Sequence, residues 1–168
     1  MKKIFAIIAL AGALLNVQAQ GKLKIGHINS NDLLMIMPER AAAEKTLQQE
    51  AQKLEEQLKV MTTEYQNKVA DFQANAATMS ELIKQTKAQE IGDLEKRIQE
   101  FQASAQETLQ KKEQELLEPI IEKARKAIEE VAKEHGYTYI LDTGTGAVLY
   151  QPESDDILPL VKQKLGIQ

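Results

Sequence analysis

The sequence has 168 residues, with 25 acidic against 21 basic side chains, no cysteine and no tryptophan. Without cysteine there is neither a disulfide framework nor a thiolate metal centre, and the acid excess argues against nucleic acid as a partner, because that affinity comes mainly from neutralising phosphates. With three Phe and four Tyr as its only aromatics, and a central stretch of about ninety-five residues almost free of Gly and Pro, the composition is that of long helices with narrow apolar stripes rather than of a compact core.

The chain opens with Lys2-Lys3, an apolar run from Ile4 to Leu15, and Val17-Gln18-Ala19 ahead of Gln20. A charged start, a short apolar segment and a small-residue site describe a secretory signal peptide. The run is too short for the roughly 30 Å hydrocarbon core of a bilayer. Residues 1–19 are therefore expected to be removed near Ala19/Gln20, leaving an exported chain with 19 basic against 25 acidic residues and a formal charge of −6. No later stretch is apolar for long enough to span a membrane.

Residues 22–29 place Leu23, Ile25 and His27 on one face of an extended segment and Ile28 on the other, which predicts a short strand covered on both sides. Asn29-Ser30-Asn31-Asp32 supplies turn and N-cap side chains, residues 33–37 a short apolar turn, and Pro38 suits the first position of a helix. Residues 20–40 thus form the start of a small body.

From Leu47 the apolar positions fall at Ala51, Leu54, Leu58, Met61, Tyr65, Val69 and Phe72, a seven-residue repeat held for more than three heptads. A helix over 41–76 is predicted, about 54 Å long at 1.5 Å per residue. The repeat breaks at 75–82, where Ser80 can cap a new helix. A second series follows: Ile91, Leu94, Ile98, Phe101, Ala105, Leu109, Leu116, Ile120, Ala124, Ala127 or Ile128, and Val131. It predicts a helix over 80–134, about 80 Å long, closed by Gly136 and kinked at 115–119 by Pro119. The two helices form an antiparallel hairpin over 41–118 that turns near 76–80.

Beyond Gly136 the period changes to two: Tyr137, Tyr139 and Leu141 alternate with Thr138 and Ile140. Residues 142–146, Asp-Thr-Gly-Thr-Gly, turn the chain, 147–150 continue extended, 151–156 break it, and 157–165 form a short amphipathic helix. Residues 119–168 therefore hold the end of the long helix, a β-hairpin and a last helix, giving three short strands in all.

Asp142-Thr143-Gly144 reads like the active-site tripeptide of an aspartic protease. Such an enzyme needs two carboxylates that split each other's pKa values inside a large sheet-walled cleft. One tripeptide and about fifteen strand residues do not supply that setting. The turn reading needs only positive-φ glycines at 144 and 146 and the backbone-bonding side chains of Asp142 and Thr143. His27 and His135 have no metal spacing, Ser30 and Ser154 no nucleophile setting, and no phosphate-binding glycine motif occurs. No catalytic residue, metal or cofactor is expected.

Taken together, "KIGHINSNDLL" before the first helix, a charged hairpin turning near "ATMSEL", and "YTYILDTGTGAVLYQPESDDILPLVKQKL" at the end resemble the Skp/OmpH-like periplasmic chaperones over the whole exported chain. The resemblance implies a homotrimer in which short strands join into a β-barrel body and three helical hairpins enclose a cavity, so the fold class is mainly α with a small β body. It also implies a periplasmic, ATP-independent holdase that keeps unfolded outer-membrane β-barrel proteins from aggregating during outer-membrane biogenesis. Candidate client contacts are Phe72, Met79, Leu82 and Ile83 near the hairpin's far end, where the repeat is irregular; closing the tip is the other use for them. Candidate residues of the oligomerisation body are Ile25, Ile28, Tyr139, Leu141, Val148 and Tyr150.

One departure is electrostatic. The best-studied members carry cationic hairpins, whereas this chain is acidic with dense Glu and Gln, and its Lys84, Lys87, Lys96 and Arg97 suit helix-surface ion pairs as well as a basic patch. No lipopolysaccharide site is carried over. The rival reading is a structural coiled-coil adaptor of an envelope complex, whose tip would dock one fixed partner.

Overall fold

The structure is a computed structural model that describes residues 23–167. The expected signal segment, 1–19, lies outside them. In chain order the elements are β1 (Ile25–Ile28), α1 (Ser30–Ile36), α2 (Pro38–Asn75), α3 (Glu81–Glu134), β2 (Tyr139–Asp142), a 3-10 turn (Glu153–Asp155) and α4 (Leu158–Leu165). Their described residues divide into two units, one made of 34–124 and the other of 23–33 with 125–167.

In unit 34–124, Met37 is extended, as residues before proline prefer, and Pro38 opens α2 where its missing N–H costs nothing. The helix has 38 residues, about 57 Å. Its stripe from Leu47 to Phe72 is half-buried throughout, as are Ile91, Ile98, Phe101, Ala105 and Leu109 of α3. Full burial is reached only at Met37, Ala43, Leu94, Ile120 and Ala124. A seam between two helices leaves each side chain one flank in water, so this repeat produces a zipper rather than a core.

Ion pairs record the antiparallel register. Lys68 lies 2.9 Å from Glu90, Asp71 lies 2.7 Å from Lys87, and Glu39 bonds Lys123. The turn lies midway, where Thr78 N–H donates to the Asn75 carbonyl at 3.0 Å. Ser80 then caps α3 by accepting the Ile83 N–H at 3.4 Å. α3, 54 residues long, runs unbroken through Pro119.

In the other unit, Gly136 adopts φ 68° and stops α3. Its N–H donates to Lys133 and that of Tyr137 to Ala132, the paired bonds of a Schellman ending. The chain then forms β2, which pairs with β1 in parallel: Ile25 with Tyr139, Gly26 with Ile140, His27 with Leu141, Ile28 with Asp142. Lys24 secures the entry, donating to the His135 carbonyl at 2.8 Å with its ammonium 4.0 Å from the Tyr137 ring centre.

The other edge of β1 takes the Ile157 N–H on the His27 carbonyl at 2.9 Å, with a single parallel bridge from His27 to Asp156. His27 itself is buried, and its Nε2–H donates to the Pro152 carbonyl at 2.9 Å, a structural role. Ile28, Leu33, Val131, Ile157 and Val161 form the core of this unit. α4 is fastened to the end of α3 by Lys164, which lies 2.9 Å from Glu130 and 2.7 Å from Glu134.

Two expectations are corrected. Residues 147–150 form no strand, and 139–150 is no hairpin: the one paired edge of β2 is taken by β1, and the Gly146 N–H closes a local turn on the Thr143 carbonyl at 3.2 Å without leading the chain back along β2. Leu149 and Tyr150 stand in solvent, 96 % and 85 % exposed. Gly146 has the positive φ that the turn requires, but Gly144 does not. There a Cβ would lie 2.6 Å from Asn29 Oδ1 and 2.8 Å from Asn31 Nδ2, so the glycine is needed for close approach. Ile28 is buried in the core of this unit.

Candidate functional site

Asp142 stands at the end of β2, directly across the register from Ile28, and its carboxylate ties the two strand ends together. Oδ2 accepts the Ser30 hydroxyl at 2.6 Å, while Oδ1 accepts the Gly144 N–H at 2.9 Å and the Ser30 N–H at 3.1 Å. Burial raises its pKa, but these three donors outweigh it and hold the carboxyl below the ordinary value of 3.8. A carboxylate that spends its lone pairs on a turn and a helix start is a fastener. Among the described residues no group of three or more His, Asp or Glu side chains could hold a metal ion.

The hairpin's far end divides the four candidates raised from sequence. Phe72 and Met79 are half-buried in the seam and turn. Leu82 and Ile83 stand out, 74 % and 48 % exposed. The two ion pairs behind them keep the tip in register. Lys87 bonds Asp71 and lowers its pKa; Lys68 bonds Glu90, lowering the Glu90 pKa while its own is raised. Three of the four cations that could have made a basic patch face carboxylates: Lys84 toward Glu81, Lys87 toward Asp71 and Lys96 toward Glu100.

Val60, exposed on the hairpin surface, is an apolar residue that sequence reasoning passed over. The signal was present, since Val60 falls between the seam positions Leu58 and Met61. An apolar side chain outside the repeat must point to water or to a partner. Ile121 is another of this kind.

In the β unit, Tyr139 and Leu141 share one sheet face with Ile25, because Ile25 is the register partner of Tyr139. All three are exposed, as is Leu23 just ahead of β1. Val148 is half-buried and Tyr150 is exposed. A two-stranded sheet with a bare apolar face and one unpaired edge is marginal alone.

Comparison with known proteins agrees with this architecture. A family model described as outer membrane protein (OmpH-like) matches residues 24–165. The chain is similar to a chaperone protein Skp of Photorhabdus laumondii, with 29 % identity over 173 residues covering 98 % of this chain and 99 % of that protein. A Skp of Vibrio cholerae is 21 % identical over 139 residues, covering 83 % of this chain and 82 % of its own. A solved OmpH-like outer membrane chaperone from Caulobacter crescentus superposes with a TM-score of 0.75 at 17 % identity, over 88 % of this chain and 86 % of that one. The shared fold is mainly α, a long helical hairpin with a small β region.

Proposed function

Since the chain belongs to the OmpH-like outer membrane protein family, and so is a chaperone rather than an enzyme, we propose that it is a periplasmic, ATP-independent holdase for unfolded outer-membrane β-barrel proteins. The observation that carries the reading is the hairpin itself: two helices of 38 and 54 residues whose seam leaves Val60, Leu82, Ile83 and Ile121 in water on a largely polar surface. Unfolded barrel strands alternate apolar and polar residues and aggregate in water. Scattered apolar contacts along a charged support hold such chains weakly and without reading one sequence. Among the described residues no helix is long and apolar enough to cross a membrane, which fits a protein that meets its clients in the periplasm after export.

Assembly as a homotrimer completes the reading. Ile25, Tyr139 and Leu141 form an apolar face that a second copy can cover, and Leu149 and Tyr150 stand in solvent on the irregular segment that follows β2. Copies that share these strands would close a small barrel and remove the open edges. Leu82 and Ile83 are the proposed client contacts at the tip, with Phe72 and Met79 reachable when the tip loosens.

Light scattering tests the activity. An outer-membrane β-barrel protein diluted from urea should stay clear when the exported chain is present without nucleotide. Scattering identical with and without the chain refutes the holdase and leaves an envelope adaptor, which would bind one folded partner through its tip.

A further inference from the structure

Along one face of the hairpin, far from the tip, the two helices leave a continuous groove. Its floor is apolar and low, built from Leu47, Ala51 and Leu109, and Ala51 in the seam keeps it open. Gln106 and Gln110 rise along the α3 side and Gln48 along the α2 side. The groove continues past Glu113 to Arg40 and Leu117. From Arg40 to Ala51 it is about 17 Å long at 1.5 Å per residue, the length of about five residues of extended chain.

Its charge is uneven. Glu44 is neutralised by Arg40 at 2.8 Å, and the neighbouring Lys112 turns to Glu115. Glu113, which borders both halves of the groove, has no ion-pair partner among the described residues. A carboxylate left alone beside an apolar floor favours a cationic occupant.

We propose that this groove docks one extended segment of an unfolded β-barrel polypeptide, with alternate apolar side chains on the Leu47–Ala51–Leu109 floor and a Lys or Arg against Glu113. The inference rests on the holdase reading and gives it a site. Same-face side chains of a strand recur about every 6.8 Å, so three of them span about 14 Å, within the roughly 17 Å of groove from Arg40 to Ala51. Each glutamine amide offers two donors and an acceptor, so Gln48, Gln106 and Gln110 can bond the segment's backbone whatever its sequence. A second copy's helix fits less well: the apolar residues of α2 and α3 outside their own seam, Val60, Leu82, Ile83 and Ile121, follow no helical repeat that could supply a matching ridge.

The test is titration of a fluorescently labelled, urea-unfolded outer-membrane β-barrel protein with the full exported chain and its variants, alongside native mass spectra. Ala51→Trp fills the groove, the double change Gln106→Ala/Gln110→Ala removes its amides without adding bulk, and Glu113→Gln removes its charge. Gln49→Trp, exposed on α2 away from the groove, is the control for bulk. The first two should each weaken client binding about tenfold, and Gln49→Trp by less than about twofold. Glu113→Gln should flatten the salt dependence. If the parent chain binds and the amide variant binds equally well, the groove is not the site and the holdase reading stands. If Ala51→Trp alters the oligomer's mass and not client affinity, the groove belongs between copies and the inference is overturned. If the parent chain binds no client, both readings fall.

Discussion

Replacing Asp142 by Ala and by Asn separates what its carboxylate does by geometry from what it does by charge. Alanine removes the acceptor for three donors at 2.6, 2.9 and 3.1 Å. The site is exposed, so the freed donors rehydrate, and each bond contributes toward the lower end of the range, about 0.5–1 kcal/mol. Asp142→Ala should therefore cost about 1.5–3 kcal/mol. Asparagine keeps an acceptor for the two N–H groups and loses the charge, so it should cost about 1 kcal/mol. In a chain this long each kcal/mol lowers the Tm by about 2–4 °C.

The assay is thermal unfolding followed by near-ultraviolet tyrosine dichroism. Tyr137, Tyr139 and Tyr150 report on the unit that holds Asp142, and Tyr65 alone on the other. Because the folded pKa lies below 3.8, the carboxylate's contribution is present above that value and lost as pH falls through the folded one. Asp142→Asn should lack that acid limb. Melting curves for Asp142→Ala that match the parent within about 1 °C would refute the fastener.

Ile157, fully buried beneath β1, should cost about 2–4 kcal/mol on change to Ala, seen as an early loss of the same tyrosine signal. Gly92 lies inside α3 with nothing within 4 Å of where a Cβ would stand, so Gly92→Ala should stabilise the hairpin by up to about 1 kcal/mol in urea unfolding. The folded pKa values of Asp71 and Glu90 lie below their ordinary 3.8 and 4.5, so their pairs hold the tip above those values and release it as pH falls through the folded ones. Amide exchange over residues 68–90 should accelerate below pH 3.8, beyond the intrinsic rate change, and at neutral pH in about 1 M salt. Unchanged tip protection would remove the ion pairs from the account.

The hairpin was legible because its information is local. Spacings of three and four from Leu47 to Phe72 set the seam, Ser80 set the start of α3 and Gly136 its end, and α2 and α3 begin and end within a few residues of those signals. The β unit was legible only in part. Period-two alternation found β1 and β2, but their parallel pairing joins residues more than a hundred positions apart, through contacts no local pattern encodes. Val148 and Tyr150 have residue types that favour a strand; a strand also needs to run along an open edge, and among the described residues the chain does not return along the free edge of β2. Gly144 shows the same limit, since its reason is the nearness of Asn29 and Asn31, brought in from the other end of the chain. Leu82 and Ile83 could be nominated from the broken repeat, whereas the groove at Ala51 depends on which faces of two helices meet.

Native mass spectrometry of the exported chain, with and without an outer-membrane β-barrel protein diluted from urea and with no nucleotide present, tests the central claim most directly. The account predicts a trimer that takes up an unfolded client as an intact complex. A monomer or dimer whose spectrum is unchanged by the client would contradict it.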